Sequence, residues 1–411
     1  MRIEERRIDV DQLQPGMYVC RLDRSWDGTP FPLQGFLIHS DDDVRELARW
    51  SSVVFIDVEL CEPVLRQRLL TLDPHERIVT RTMTRIERKR DEYAFQQRFD
   101  REVRVADKAF TTFTQQASVL LDALRSRDTL DQRSVDAAVT PVVAAVTRNQ
   151  DAYFWLMALK RHSDYAYRHA TNCCALAIAF GRALSYPESG LLSLARGGLL
   201  MDIGMASVPA NVVDRPGMLH ASQAMEMRSH VDEGCRRFDA AGFNDPEARD
   251  MLACHHEFFD GSGYPRRLAG TAIPLSGRIA TIVDAFDAMS SDRPYRAAMT
   301  RDAALRELYR GRDRQFQSEL VEEFVRCLGV YPVGTLVELS SGEIGIVVAQ
   351  NNAHRLRPRL MLLTMPDKTL REPFVPLNLL GNETDENGER LAIVRSVAGS
   401  SYGLDPTELF L

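Results

Sequence analysis

The spacing of apolar residues changes along the chain and divides it into five segments. Residues 1–62 carry short runs of β-branched and aromatic residues separated by Gly, Pro and Asp, which predicts a small β-rich N-terminal domain. Within residues 63–105, the run RIERKRDEYAFQQRFDREVR is densely charged and lacks Gly and Pro, which predicts a solvated linker helix. Because its acids and bases are interleaved, this helix is a weak candidate for a nucleic-acid-binding surface.

Residues 106–330 show helical spacing. One set of apolar residues recurs at helical intervals and indicates a helix with one buried face: Ile279, Ile282, Val283, Phe286 and Met289. The segment from Leu191 to Met201 is apolar on nearly all sides, as expected of a central buried helix, and Gly204 and Pro209 follow it as stop signals. We therefore predict a helical domain at the centre of the chain.

Alternation of apolar and polar residues returns after Pro332. The sequence GTLVELSSGEIGIVV alternates about a Ser-Ser-Gly turn and predicts a β-hairpin, with a further strand at Arg359 to Leu363. This indicates a small β-hairpin module over 331–381, followed by a polar and loosely held tail over 382–411. The predicted fold class is mainly α, with a helical bundle flanked by small β-rich modules at both termini.

Composition and charge narrow the class of protein. The 411 residues are 45% hydrophobic and 27% charged, which suits a chain that buries a core and excludes a wholly disordered, collagen-like or coiled-coil protein. A formal net charge of −7 provides no overall basic field for nucleic acid or for an anionic membrane. The charged start MRIEERRIDV, the lack of an apolar run of about 20 residues and seven cysteines without framework spacing predict a cytoplasmic protein with no membrane insertion.

Six residues in the helical segment carry the candidate chemistry. They are four histidines and two aspartates: His169, Asp202, His230, His255, His256 and Asp284. Any one histidine alone fits a hydrogen-bonded core residue or a surface residue better than a ligand. The doublet His255-His256 followed by Glu257 and the loop DGSGYP favours a metal site, because imidazole and carboxylate together suit Zn, Fe or Mn. Aspartate can bridge two ions, and two ions can activate water and clamp a phosphodiester for in-line attack.

These residues lie in motifs that resemble, in order, those of the HD-GYP family, a branch of the HD phosphohydrolase superfamily. The stretch HHEFFDGSGYPRRLAG resembles the family signature, and the resemblance extends over residues 164 to about 320. The other matching segments are DYAYRH ending at His169, DIG beginning at Asp202, RPGML before His230, RIATIVDAFDA containing Asp284, and DRPYR containing Arg293 and Arg296. The opening domain, with its PGMYV segment, is similar to an uncharacterised domain often found before HD-GYP domains.

The resemblance implies an all-helical HD-type metal-binding bundle that hydrolyses cyclic di-GMP to pGpG or GMP with two, and in some members three, Fe or Mn ions. One ion is expected to be bound by a complete set that is also the catalytic set: Asp202, His230, His255 and His256. A second ion is expected at His169 and Asp284, with Asp202 shared between the two.

The same resemblance implies residues that serve the substrate and the ligands. Arg293 and Arg296 are expected to contact phosphate, since guanidinium groups form bidentate contacts with phosphate oxygens, although a surface charge is an equal alternative for Arg296. Tyr264 is expected on the substrate side of the loop, with packing as the alternative. Asp260 is expected to orient a ligand histidine by accepting its free N–H.

The sequence departs from the family pattern at three positions. Met201 replaces the histidine of the His-Asp doublet, and methionine sulfur is a poor ligand for Mn or Fe. Met205 replaces a lysine that would face the phosphate, and Tyr165 replaces the glutamate that marks three-metal members. The second ion position is therefore expected to be weakened, and no third ion is expected.

Two functions follow and remain open. The first is a metal-dependent cyclic di-GMP phosphodiesterase in second-messenger signalling, weakened by Met201 and Met205. The alternative is a catalytically inactive cyclic di-GMP receptor or protein-interaction scaffold. Signalling proteins are further candidate partners, and a homodimer formed through the charged helix also remains open.

Overall fold

The protein is described by a computed structural model that divides into two units, Met1–Arg88 and Lys89–Leu411. The described residues are 5–22, 36–38, 40–58, 61–63, 65–66, 85–125, 131–160, 164–213, 215, 217, 220–292, 297–351, 354–381, 383–385, 388, 390–398, 402–404 and 406–410. Each unit is built around its own hydrophobic core.

The first unit is built on a four-stranded antiparallel sheet. Its strands are β1 (Glu5–Asp9), β2 (Tyr18–Leu22), β3 (Phe36–Leu37) and β4 (Val53–Asp57), in the spatial order β1-β4-β2-β3. Val54 and Ile56 alternate on the buried face of the central strand and are fully buried, as the β-branched pattern predicts. One helix, α1 (Asp41–Ala48), begins at a capping box in which Ser40 and Asp43 satisfy each other's backbone N–H groups. The β-rich character predicted for the N-terminal part of the chain is confirmed.

The second unit is mainly helical, as predicted. Its helices are α2 (Arg85–Arg125), α3 (Gln132–Arg148), α4 (Gln150–Leu159), α5 (Tyr165–Ala183), α6 (Glu188–Leu200), α7 (Ala210–Val213), α8 (Ala221–Arg228), α9 (His230–Ala240), α10 (Pro246–Cys254), α11 (Leu275–Ser290), α12 (Arg301–Arg310) and α13 (Ser318–Leu328). None of the helices in the described residues is both long and apolar enough to cross a membrane.

The charged segment forms a longer and more deeply embedded helix than predicted. Helix α2 is continuous from Arg85 to Arg125, so the boundary predicted at residue 105 falls inside it. It places an apolar stripe in the core of the second unit: Phe99, Ala106, Phe110, Phe113 and Ala117. These residues recur at intervals of seven, four and three, a helical spacing that is hard to see among the surrounding charges. Four of these five residues lie in the segment predicted to belong to the helical domain, whereas Phe99 is a buried residue inside the predicted linker.

Helices α5 and α6 form an antiparallel pair at the centre of the second unit. A Cβ added to Gly198 would lie 2.8 Å from the carbonyl oxygen of Cys173, so glycine is needed for the two backbones to approach this closely. Arg196 of α6 forms ion pairs with Asp136 at 2.6 Å and Asp245 at 2.7 Å, which connects α6 to its helical neighbours. Because the pair is antiparallel, the first turns of α5 lie beside the end of α6.

A five-stranded antiparallel sheet completes the second unit. Its strands are β5 (Leu336–Leu339), β6 (Ile344–Ala349), β7 (Arg359–Thr364), β8 (Leu370–Asn378) and β9 (Ile393–Val397), in the spatial order β8-β7-β6-β5-β9. The predicted hairpin is β5 with β6, in which Leu336 lies opposite Ile346. The predicted strand near Arg359 is β7.

The C-terminal segment is more ordered than the predicted polar tail. Strand β9 pairs with β5, with Val397 opposite Leu336, and so forms one edge of the sheet. A last short helix, α14 (Pro406–Phe410), follows, and the ring of Phe410 lies 5.1 Å from that of Trp155. Only one of the five residues of this strand, Val397, is buried, so the strand shows no alternation of buried and exposed positions.

Candidate metal centre

His169, in the second turn of α5, is held in place by a carboxylate. It is 3% exposed, and its Nδ1 lies 2.7 Å from Oδ2 of Asp287. The other oxygen of Asp287 accepts from Asn172 Nδ2 at 2.8 Å and from Ser291 Oγ at 3.2 Å. The ring of Tyr165 stacks on His169 at 5.6 Å. Because Nδ1–H donates to Asp287, the orientation of the ring is fixed and Nε2 is the atom presented to the centre.

Asp202 is positioned by a backbone contact between two elements. It directly follows the end of α6 and precedes a 3₁₀ turn, Ile203–Ser207. A Cβ on Gly204 would lie 1.9 Å from the carbonyl oxygen of His230 and 2.6 Å from the backbone nitrogen of Gly234, both in α9. No side chain fits in that space, so Gly204 allows the turn that carries Asp202 to pack directly on the helix that begins at His230.

His230 and His255 face each other with their Nε2 atoms 3.1 Å apart. Nδ1 of His230 lies 2.6 Å from the carbonyl oxygen of Met227, and Nδ1 of His255 lies 2.9 Å from that of Leu252. Since a carbonyl oxygen can only accept, each Nδ1 carries a proton and each neutral ring presents a lone pair at Nε2. Two lone pairs this close repel each other unless a proton or a metal ion lies between them.

Asp202 divides its two oxygens between different histidines. Its Oδ1 lies 3.5 Å from Nε2 of His230 and 3.6 Å from Nε2 of His255. Its Oδ2 lies 3.3 Å from Nε2 of His169. This is the arrangement expected of a carboxylate that can serve two neighbouring cations.

The ligand atoms form two groups that share Asp202. In each group the atoms lie within 4.8 Å of one another. The groups are Asp202, His230, His255 and His256, and His169, Asp202 and Asp284; His169 also lies in a third, fully buried group with Cys173 and Asp287. Asp284 also connects the two groups, since its Oδ1 lies 3.1 Å from His169 Nε2 and its Oδ2 lies 3.7 Å from His256 Nδ1. The structure thus brings together all six residues singled out from the sequence.

The separations within these groups fit a divalent transition metal. An ion about 2.1 Å from its donors places neighbouring donor atoms about 3.0–3.4 Å apart. Within the groups, the five separations given above run from 3.1 to 3.6 Å, which overlaps this range and slightly exceeds it. Mixed imidazole and carboxylate donors suit Fe or Mn, so the residues present fit the metal that the sequence resemblance implies.

The electrostatics of the centre favour a positive charge in each group. Burial lowers the pKa of His230 and, more strongly, lowers the pKa of His256 to about 3. Burial also acts against protonation of His255 and His169, but the carboxylates beside them, and for His169 also the neighbouring thiol of Cys173, raise the pKa of each above its ordinary value. One imidazole in each group therefore attracts a proton when no other cation is present.

Met201 and Met205 do not contribute to the donor set. Met201 is 1% exposed and belongs to the hydrophobic core. Met205 lies in the 3₁₀ turn and is partly buried. The group around His169 consequently has three donors, whereas the group around His255 has four.

The loop after His256 is folded tightly against the centre. Glu257 is 1% exposed, and its carboxylate accepts the backbone N–H groups of Arg266 at 2.7 Å and Leu268 at 3.0 Å. A Cβ on Gly263 would lie 2.5 Å from the carbonyl oxygen of His256, so only glycine allows this fold. The ring of Tyr264 consequently lies 4.7 Å from the ring of His256.

Of the three remaining predicted positions, only Asp260 lies within the described residues. The role predicted for Asp260 is corrected, because its exposed carboxylate accepts from the backbone nitrogen of Ser262 at 2.8 Å and from its hydroxyl at 2.6 Å, and so stabilises the loop. The acid that orients a histidine is Asp287, which the sequence analysis did not single out. Its position three residues after Asp284 on α11 places both acids on one helix face, which is the signal that was available. Arg293 and Arg296 lie outside the described residues.

Comparison with known proteins agrees with this organisation. Residues 155–320 match the HD domain family, and residues 5–135 match a domain of unknown function, DUF3391. A cyclic di-GMP phosphodiesterase of Pseudomonas aeruginosa is 30% identical over 358 residues, which cover 86% of this chain and 84% of that protein.

Two further relatives match over shorter parts of this chain. A 3′3′-cGAMP-specific phosphodiesterase of Vibrio cholerae is 35% identical over 38% of this chain and 30% of its own length. A cyclic di-GMP phosphodiesterase response regulator of Xanthomonas campestris is 39% identical over 31% of this chain and 34% of its own length. The chain thus spans about a third of each of these two proteins.

Gly204 offers a direct test of how the centre is positioned. We expect Gly204→Ala to lower the free energy of unfolding by at least about 2 kcal/mol, because the new methyl group would meet backbone rather than a movable side chain. Metal affinity should fall with it. Gly234→Ala is a matched control in the same contact, since a Cβ there would have its nearest neighbour at 3.4 Å. It should leave stability unchanged or raise it, since alanine favours a helix more than glycine does. Equal effects of the two changes in thermal and urea unfolding would contradict this account.

Proposed function

The chain belongs to the HD-GYP branch of the HD-domain phosphohydrolases, and on that premise we propose that it hydrolyses cyclic di-GMP to pGpG or GMP in a metal-dependent reaction. The observation that carries the proposal is the pair of Nε2 atoms of His230 and His255, 3.1 Å apart, with both Nδ1 protons committed to backbone carbonyls. This arrangement is stable only around a cation. Fe or Mn is the metal that we propose for it.

The ligands that we propose for the first ion are Asp202, His230, His255 and His256, and those for the second are His169, Asp202 and Asp284. When bound, a pair of divalent ions would lower the pKa of water and neutralise charge on a phosphodiester. The carbonyls of Met227 and Leu252 keep two imidazoles in the tautomer that leaves Nε2 available.

Further residues of the chain would orient the ligands and the substrate. Asp287 fixes the ring of His169 through Nδ1, and Asp202 sets the spacing of the two groups by giving one oxygen to each. Arg293 and Arg296 remain our proposed phosphate contacts. Tyr264 would form part of the substrate-side wall, because the loop holds its ring against His256.

A direct assay tests the proposal. We expect the protein, purified without oxygen and supplied with Mn²⁺ or Fe²⁺, to convert cyclic di-GMP to linear or mononucleotide product, as measured by chromatography. His255→Ala should lower kcat/KM by at least about 100-fold, since it removes a ligand with a fixed orientation. His220→Ala is the matched control, because His220 is exposed at the start of α8 and lies outside both ligand groups. Equal product formation by the wild type and His255→Ala would refute the proposal.

A second candidate function is a receptor that binds cyclic di-GMP without cleaving it. The observation in its favour is the burial of Met201 in the apolar core, which leaves the group around His169 with three donors. In this view the centre binds the first ion and the dinucleotide, while the second position stays too weak for catalysis.

Restoring the family residues distinguishes the two functions. If the wild type is an active enzyme with a weakened second position, Met201→His should lower the Mn²⁺ concentration needed for half-maximal activity by about 10–100-fold. Met205→Lys is tested separately. Met205 is only partly buried in a turn, so its replacement disturbs the core less than a change at Met201. A receptor is indicated instead if the wild type binds cyclic di-GMP without turnover, and the variant that combines Met201→His with Met205→Lys acquires activity.

A further inference from the structure

Arg228 is the last residue of α8, a helix on the surface of the second unit. None of the eight residues of this helix, all of which are described, is buried. Its last residue nevertheless contacts the loop that packs against the centre. Cζ of Arg228 lies 5.0 Å from the centroid of the Tyr264 ring, which in turn lies 4.7 Å from the ring of His256. Arg228 is therefore the outer layer of a stack whose inner layer is a proposed metal ligand.

The contacts of Arg228 differ from those of other exposed arginines nearby. Nε of Arg236 lies 2.9 Å from a carboxylate oxygen of Glu233, and Nε of Arg249 lies 2.7 Å from one of Asp239. Within the described part of the chain, Arg228 forms no ion pair. An aromatic ring holds its guanidinium, so its N–H donors are available to an anion.

The substrate of the proposed function provides such an anion. A cyclic dinucleotide carries two phosphodiester groups, and the metal centre can engage only the one that is cleaved. The second phosphate needs a cation at the rim of the site, and a planar guanidinium matches phosphate oxygens in a bidentate contact. Arg228 reaches the rim from the segment before His230, whereas Arg293 and Arg296 come from the segment after α11. Arg228 therefore places a cation beside the site from a different element.

We propose that Arg228 binds the phosphate of the cyclic dinucleotide that is not cleaved, and that Tyr264 is the residue that positions it. The inference rests on the proposed function and deepens it by assigning a specificity-determining residue. A contact with phosphate is the same whichever bases the substrate carries. The assignment therefore predicts that Arg228 makes the protein select cyclic dinucleotides over diesters with one phosphate, but does not make it distinguish guanine from adenine.

Steady-state kinetics with three compounds tests this assignment: cyclic di-GMP, cyclic di-AMP and bis(4-nitrophenyl) phosphate, which has one phosphate. Arg228→Ala should raise KM for both cyclic dinucleotides by about tenfold or more, as expected for loss of a charged hydrogen bond, and leave kcat unchanged. For a compound that is not cleaved, its competitive inhibition constant replaces KM. The values for bis(4-nitrophenyl) phosphate should not change. Arg228→Lys should recover part of the loss because it keeps the charge.

Arg236→Ala is the matched control, since Arg236 is exposed on the next helix and is held by Glu233. It should change none of these constants. The assignment is overturned if Arg228→Ala leaves both cyclic dinucleotides unaffected, if the loss is confined to cyclic di-GMP and thus reports a base contact, or if bis(4-nitrophenyl) phosphate is affected equally.

A failure of the proposed function is recognised separately, because it is visible in the wild type alone as a lack of turnover of cyclic di-GMP. In that case, calorimetric titration of cyclic di-GMP into the wild type and Arg228→Ala decides the role of Arg228. Affinity about tenfold lower in the variant supports the assignment. Equal affinity, or no binding by the wild type, overturns it.

Discussion

The close approach of two imidazole nitrogens is the constraint on which the centre depends. His230 and His255 place their Nε2 atoms 3.1 Å apart while their Nδ1 protons are fixed by backbone carbonyls. Neither ring can turn away without leaving a buried N–H without an acceptor, which is costly. The fold therefore forces the two lone pairs together, and this close approach becomes favourable only when a cation is bound between them. Oδ1 of Asp202, 3.5 Å and 3.6 Å from the two Nε2 atoms, adds negative charge that further favours a cation at this point.

The fold holds this arrangement by backbone contacts rather than by flexible side chains. The antiparallel pair α5 and α6 brings the helix that carries His169 beside the segment that carries Asp202. Gly204 then lets that segment contact the start of α9, where His230 lies. The six ligand residues come from five segments, since only His255 and His256 are neighbours, and the helix contacts bring these segments together. These contacts between helices do not involve a donor at position 201, where Met201 is buried in the hydrophobic core.

The sequence could predict the helical class, the flanking β modules and the six converging residues, because spacing and motif order depend on local pattern. It could not predict the partners of the acids. Asp260 and Asp287 are both aspartates near the ligands, but one stabilises its own loop through Ser262 and the other orients His169 across two helices. Strand β9 and the burial of Phe99 in α2 were likewise missed, since pairing with β5 and packing against the helical core are tertiary effects that local spacing does not show.

The central claim is that these residues form a binding site for a metal ion, and the number of ions bound per chain tests it most directly. Elemental analysis after anaerobic purification and equilibrium dialysis against Mn²⁺ should give at least one ion per chain for the wild type. His255→Ala should lose that ion, and His220→Ala should retain it. A wild type that retains no ion, or a His255→Ala variant that binds as much Mn²⁺ as the wild type, would contradict the account.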